Sequence, residues 1–264
     1  MAHPAVTAFL RALDQFDRSK TCTEIFRLFC EMAYCALAKR ASPFSDQRDR
    51  LEAQYMDCVG RFPNKGDVRR MPEMMALSIE AIAGGGIDFI GQVAAEIGAL
   101  DAGLGQFFTP YEVSRLIADM SLGDARAQIE AQGFITVSEP AAGAGGMVLA
   151  LADALESQGF HPARHIWVEA VELSRSTYHM AYIQISTRGI AGGVINGNSL
   201  SLEVFEQAYT AAAPVFFGLH GDPFSKQKDA ARRAAQAYEE ARARARELLR
   251  STAPVQARAV WQCD

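Results

Sequence analysis

Glu139, Gly143, Gly145 and Gly146 fall within the octet EPAAGAGG, which follows the short apolar run FITV and leads into the helical pattern MVLALADA. A strand, a tight glycine turn and a helix start in that order bring backbone N–H groups and a carboxylate against a nucleoside cofactor. The glycines permit positive φ and close backbone approach. An acid at the strand end suits the ammonium of a methionine-type cofactor and opposes a pyrophosphate. A dinucleotide fingerprint also needs a glycine three residues after Gly145, where this chain has Val148. The loop therefore points to S-adenosylmethionine rather than to a nicotinamide cofactor. A glycine turn with only a packing role is the plainer alternative.

Three further positions belong to the same chemistry. Glu172 closes HIWVEAVE, and an acid at the tip of a second strand can accept both ribose hydroxyls. Glu169 competes for that role but lies on the other strand face and reads as a polar strand residue. Asn198, in INGNSL, has donors and acceptors for an adenine edge, although Asn-Ser is also an ordinary turn sequence. Upstream, FFTPYEVSRLIADM offers Thr109 as a helix cap, Pro110 at the first helical position and Glu112 as the partner of a capping box. Val113, Leu116, Ile117 and Met120 then form the expected buried face.

These residues need elements to hold them. Up to about residue 105 the pattern is helical throughout. It is clearest from Thr21 to Arg40, where Ile25, Phe26, Leu28, Phe29, Met32, Ala33 and Leu37 recur at helical spacing. From about 134 the period changes. Strands are expected at Phe134 to Val137, His165 to Val171, Gly193 to Ile195 and Pro214 to Leu219, with crossover helices over 145–158, 173–188 and 199–212. That order implies a largely parallel sheet with helices on both faces. A long helix over Ser225 to Arg250 follows. The expected division is a helical region over 1–104 and an α/β region over 105–264.

With 264 residues, 49% hydrophobic content and 22% charge, the chain can bury a sizeable core. No basic segment followed by a long apolar run, and no membrane-length apolar stretch, stands out, so the reading is a cytoplasmic protein. The five cysteines, at 22, 30, 35, 58 and 263, form no C-x-x-C pair and read as reduced, mostly buried thiols. No metal is expected; His220 is the one histidine near the proposed site and has no acid or cysteine at metal spacing. Tyr178, His179 and Tyr182 read as packing residues of a crossover helix.

With GQFFTP, EPAAGAGG, AVEL and GNSL in this order from about Gly105 to Leu202, the chain resembles the methyltransferases that modify adenine N6 in DNA, among them the modification subunits of type I restriction systems. More narrowly, it is similar to phage- and plasmid-borne N-6 DNA methylases. The resemblance implies a Rossmann-like S-adenosylmethionine-dependent methyltransferase fold with an α-helical N-terminal region; after the fourth expected strand this sequence has one long helix and a short tail, which leaves little room for the family's remaining strands. It implies that Phe108, Thr109 and Pro110, with Glu139, Pro140, Ala141, Gly143 and Gly145, hold the methionine part of the cofactor. Glu172 and Leu173, with Asn198 and Ser199, take its ribose and adenine. DNA is the implied substrate, and a separate specificity subunit or a second copy is the implied partner.

The sequence departs from that family at the acceptor loop. Adenine N6 methylases carry Asn or Asp, two prolines and an aromatic residue there, which hydrogen-bond the target amine and stack on the flipped base. Here GLHGDPFSK supplies Asp222, Pro223 and Phe224, one proline short. The chain is thus expected either to methylate adenine through Asp222 or to be a catalytically inactive cofactor-binding regulatory subunit. From Lys226 to Arg250 eight basic residues face four acidic ones. Lys228, Arg232, Arg242, Arg246 and Arg250 fall roughly on one stripe that could follow a phosphate backbone, and a solvated face on an Ala-rich packing helix explains the same charges.

Overall fold

The computed structural model describes residues 3–99, 108–123 and 125–252. Gly105, Gln106 and Phe107 of the GQFFTP motif, the 104/105 boundary and Cys263 lie outside the described residues. The chain divides into two units, 1–220 and 221–264.

The first unit begins with six helices: α1 (Pro4–Leu13), α2 (Cys22–Ala41), α3 (Ser45–Gly60), α4 (Lys65–Val68), α5 (Met71–Ala83) and α6 (Phe89–Glu96). The centre of this group is α2. Thr21 and Glu24 close its N-terminus with a reciprocal capping box, and it ends at Ala41, just before Ser42-Pro43. Its expected apolar face is buried apart from half-buried Leu37. Phe9 of α1 meets Phe26, Phe29 and Phe89 edge-on at 5.2 to 6.2 Å between ring centres. Cys30, Cys35 and Cys58 are buried.

The remaining elements of this unit are α7 (Tyr111–Ser121), α8 (Ala125–Gln132), β1 (Ile135–Glu139), α9 (Gly146–Ser157), α10 (Pro162–His165), β2 (Ile166–Glu172), α11 (Arg175–Thr187), β3 (Ala191–Asn198), β4 (Glu203–Tyr209) and α12 (Ala213–His220). The sheet order is β1-β2-β3-β4. Strands β1, β2 and β3 run parallel, and β4 is antiparallel to β3 with an irregularity at Asn196/Gly197. Three parallel strands joined by α9 and α11 make a Rossmann-like α/β unit. Its buried residues are continuous with those of the N-terminal helices in one core.

Two expected elements are replaced. The crossover helix expected over 199–212 is a turn followed by β4, because the Asn198 side chain accepts from the Leu200 and Ser201 N–H groups and folds the chain straight back beside β3. Leu202 completes that turn at φ 61°. The strand expected at Pro214 to Leu219 is α12. Its apolar run also has helical spacing: Ala213 and Phe216 are buried, and Phe216 and Phe217 pack on Trp167 at 5.1 and 4.8 Å. A short apolar run cannot be assigned to strand or helix by period alone.

Helix α11 buries the aromatic group expected to pack. Tyr34 of α2 lies between Tyr178 and Tyr182 and stacks on the His179 ring at 4.6 Å. The Tyr34 hydroxyl donates to Glu206 at 2.6 Å and accepts from the Tyr178 hydroxyl at 2.9 Å. Burial, with Arg175 nearby, pushes the His179 imidazole down to about 3 from its ordinary 6.5. The folded chain therefore keeps a neutral ring at a pH where the unfolded chain takes up a proton. Stability from this site is full above pH 6.5 and is lost as pH falls toward 3, by up to about 1.4 kcal/mol per pH unit. Urea unfolding of the wild type and His179→Phe at pH 7 and pH 5 checks this. The wild type should lose more stability between the two, and equal losses would contradict it.

The second unit contains α13 (Ser225–Thr252). Its described side chains from Arg232 to Arg246 are all exposed, so no buried alanine face exists among them.

Candidate functional site

The glycine turn sits where the strand-loop-helix pattern puts it. Gly145 caps α9 at φ 95° and Gly143 has φ 55°, so both backbones occupy the region that side chains avoid. The loop is also fastened to β2. The Ala142 N–H donates to the Val171 carbonyl at 2.9 Å, and the Gly143 N–H donates to the Glu172 carboxylate at 2.9 Å. The two acids, far apart in sequence, thus meet at one loop. Glu139 accepts from the Ala141 N–H at 3.1 Å, and Glu172 also accepts from the Ser174 N–H at 2.8 Å. Each Glu172 oxygen keeps a lone pair for a further donor. Burial raises the Glu172 carboxyl above its ordinary 4.5, against the pull of those N–H groups.

A cleft of about 220 Å³ opens at this turn, lined by Phe108, Thr109, Glu139, Ala141, Gly143 and Asp88 among others. The Phe108 ring lies so close over Gly143 that a Cβ there would be 3.2 Å from it. Pro110 and Pro140 are exposed beside the cleft. Thr109 does not cap α7. The helix starts at Tyr111 with Pro110 in the cap position and no side-chain cap, so the Thr109 hydroxyl is not spent on a cap bond.

The expected buried face of α7 is also corrected. Val113, Leu116, Ile117 and Met120 are 44, 61, 41 and 76% exposed, and Tyr111, Ser114 and Ala118 are buried instead. The cause is Asp153, buried on α9. The Tyr111 hydroxyl donates to it and Arg115 lies 3.9 Å from it, so the polar and aromatic side of α7 turns inward.

Asp88, Gln184 and Asn196 escaped the sequence reading. Gln184, fully buried on α11, donates to Asp88 and to the Ala144 carbonyl, both at 2.7 Å, and accepts from the Ile90 N–H at 3.0 Å. It ties α6 to the glycine loop. A Cβ on Gly146 would lie 2.8 Å from Asp88, so the third glycine is required by that approach. Burial holds the Asp88 carboxyl above its ordinary value. Asn196 donates to the carbonyls of Glu172 and Leu173, both at 2.9 Å, and fixes the β2 tip. A polar residue inside an apolar strand was the one available signal for it. Leu173 projects an exposed side chain beside Glu172, and half-buried Ser199 follows Asn198 in the turn.

His220 is not near the glycine loop: its ring packs on Phe134 at 4.9 Å, ahead of β1, and its Nε2 lies 2.8 Å from the Arg164 carbonyl, ahead of β2, whereas Glu139 and Glu172 close the opposite ends of those strands. In the second unit, Gly221 has φ 71° and leads into a tight turn. Asp222 accepts from the Phe224 N–H at 2.9 Å and from Lys228 at 2.6 Å. The hydrogen bonds of Lys228 and of the Phe224 amide hold its carboxyl below the usual range. Arg242 lies 3.4 Å from Glu239, while Arg232 and Arg246 make no ion pair among the described residues. No group of three or more metal-ligating side chains occurs among the described residues, and no helix among them is long and apolar enough to cross a membrane.

Three parallel strands, the first ending in an acid, a glycine turn and a helix and the second carrying another acid at its tip, thus converge on one cleft. The sequence profile of the N-6 DNA Methylase family matches residues 89–246, and the chain belongs to that family. Among solved structures it is similar to one described as a class I S-adenosylmethionine-dependent methyltransferase from Listeria monocytogenes. That match has 13% identity, covers 72% of this chain and 52% of that one, and has a TM-score of 0.34. It is also similar to the type I restriction-modification system methyltransferase subunit from Streptococcus thermophilus, with 14% identity, 70% and 55% coverage and a TM-score of 0.34. The chain spans about half the length of these solved structures. No curated protein matches it.

Proposed function

We propose that the chain binds S-adenosylmethionine at the 139–146 loop and transfers its methyl group to adenine N6 in DNA. The observation that carries this reading is the meeting of Glu139, Glu172 and the Phe108-Thr109 segment around one glycine turn. The residues fit the cofactor: the ring over Gly143 leaves room for no side chain, and the open lone pairs of Glu172 suit a pair of ribose hydroxyls. Glu139 takes the ammonium group. Leu173 gives apolar surface to the adenine, with Asn198 and Ser199 at its edge. The bound cofactor supplies an electrophilic methyl on a sulfonium, open to direct displacement by an amine. Asp222 stays ionised and can accept from that amine, Phe224 stacks on the flipped base, and Arg232, Arg242 and Arg246 follow the phosphate backbone. Sequence choice comes from a specificity subunit or a second copy.

A second reading, a cofactor-binding regulatory subunit without turnover, is favoured by two observations. Both oxygens of Asp222 already serve the local turn and Lys228, and the loop leaves α12 at His220, whose ring packs on Phe134 at the start of β1, the opposite end of that strand from Glu139. Radiolabelled methyl transfer to unmethylated DNA, with the chain alone and with its partner subunit, separates the two. The expected result is label in adenine, reduced about 100-fold or more by Asp222→Ala. No transfer with intact cofactor binding selects the regulatory reading, and no cofactor binding sinks both.

A further inference from the structure

Away from the glycine loop, the N-terminal half of α2, the end of α3 and the first turn of α11 enclose a second cleft, of about 480 Å³. Its charged lining is mostly basic: Lys20, Arg27, Arg61 and Arg175 against Glu24 and Glu31. The acids are engaged. Glu24 accepts from the Thr21 N–H and hydroxyl in the capping box, and Glu31 accepts from Gln54 at 2.8 Å and lies 4.0 Å from Arg175. Arg61 donates twice to Asp57. Lys20 and Arg27 make no hydrogen bond or ion pair among the described residues, Lys20 acting on Glu24 only at longer range, so the donors of both side chains are open to a ligand.

Two independent features add donors. Arg175 and Ser176 are the first two residues of α11, a 13-residue helix whose cap residue Ser174 makes no side-chain bond to the backbone; its hydroxyl meets those of Ser176 and Thr177 instead. Such an end presents N–H groups and partial positive charge to an anion. One turn further along the same face is His179, only 3% exposed, which lines the cleft and whose Nε2 has no hydrogen-bond partner. A buried ring nitrogen left without a partner costs stability unless something else bonds it. Stacking on Tyr34 fixes the plane of the ring, so it cannot turn away from that requirement.

We propose that this cleft binds a phosphate group, held by Lys20 and Arg27, the first turn of α11 and the His179 ring nitrogen. A tetrahedral oxyanion suits donors that arrive from three elements, whereas a planar carboxylate would leave some of them unused. The phosphate belongs either to a small phosphate ester or to a nucleic-acid backbone. The site does not depend on methyl transfer and stands or falls separately from it.

The test is titration of the full chain with inorganic phosphate, followed by calorimetry and by the NMR signals of the Ser176 amide and the His179 ring. Saturable shifts at both residues are expected, with binding weakened about tenfold or more in Lys20→Ala/Arg27→Ala and unchanged affinity for S-adenosylmethionine. Both side chains lie at the rim, and a melting curve confirms that the variant is folded. Sulfate should compete in the wild type, and chloride at matched ionic strength should not. Absence of saturation, equal binding in the double variant, or loss of binding in chloride would each overturn the proposal. Competition by ribose 5-phosphate but not by a short DNA duplex identifies a small ester as the source; competition by the duplex identifies the backbone.

Discussion

Asp153→Ala should lower the folding stability of the chain by about 2 to 4 kcal/mol, the cost of leaving the Gly86 N–H and the buried Tyr111 hydroxyl without their acceptor and the buried Arg188 with Glu156 alone. Asp153 sits within α9 with only its carboxylate left to satisfy, and three separate segments use it. The Gly86 N–H donates to it at 2.6 Å, the Tyr111 hydroxyl donates to the same oxygen, and Arg188 donates to the other at 2.8 Å. Both charged side chains of the Arg188 pair are buried, so solvent screens the interaction little. Gly85 approaches so closely, at φ 68°, that a Cβ would lie 2.8 Å from the carboxylate. Urea unfolding measures the effect. Arg188→Ala and the double variant complete a cycle in which the losses should fall well short of additivity. A loss under about 1 kcal/mol for Asp153→Ala would mean that water replaces these partners.

Glu172→Ala should weaken S-adenosylmethionine binding by about 1.5 to 3 kcal/mol, the scale of charge-assisted hydrogen bonds removed from a half-buried site. Beyond losing a ribose acceptor, the change frees the Gly143 and Ser174 N–H groups, so the loop itself loosens. Calorimetry at pH 7 gives the comparison, and equal affinities would remove Glu172 from the site. The pH dependence has a definite sign. Burial raises the carboxyl above 4.5, so the ionised form that the proposed ribose contact requires is lost from a higher pH than for an ordinary glutamate, and cofactor affinity should fall as pH drops through that raised value. For folding the sign is opposite: a raised carboxyl contributes stability at low pH that is lost as pH rises through the folded value. At neutral pH the charge on Glu172 therefore costs the fold something, which fits an acid retained for a ligand.

The parts of this architecture that were legible in sequence are those encoded locally. The three parallel strands and the helices α9 and α11 were visible because the apolar period changes near residue 134, and EPAAGAGG carries its own turn chemistry. The inward face of α7 was not. Its apolar stripe obeys the usual rule, but one buried carboxylate on another helix outweighs it by recruiting Tyr111 and Arg115. The hairpin and α12 were missed because Asn198 reverses the chain with a side-chain bond and because a run as short as Pro214 to Leu219 fits either period. Asp88 and Gln184 could not be paired by any pattern, since 96 residues separate them.

The bond from Gln184 to the Ala144 carbonyl has a bearing on how the protein can be cut. A fragment beginning at residue 105 keeps every motif of the glycine loop and looks like a self-sufficient cofactor domain. It would nonetheless lack Asp88 and the Ile90 N–H, the two groups that hold the Gln184 amide in place behind the loop. Helix α6 and its cap residue are therefore the back wall of the glycine loop, and the unit that should be expressed, crystallised or transplanted is the loop together with α6.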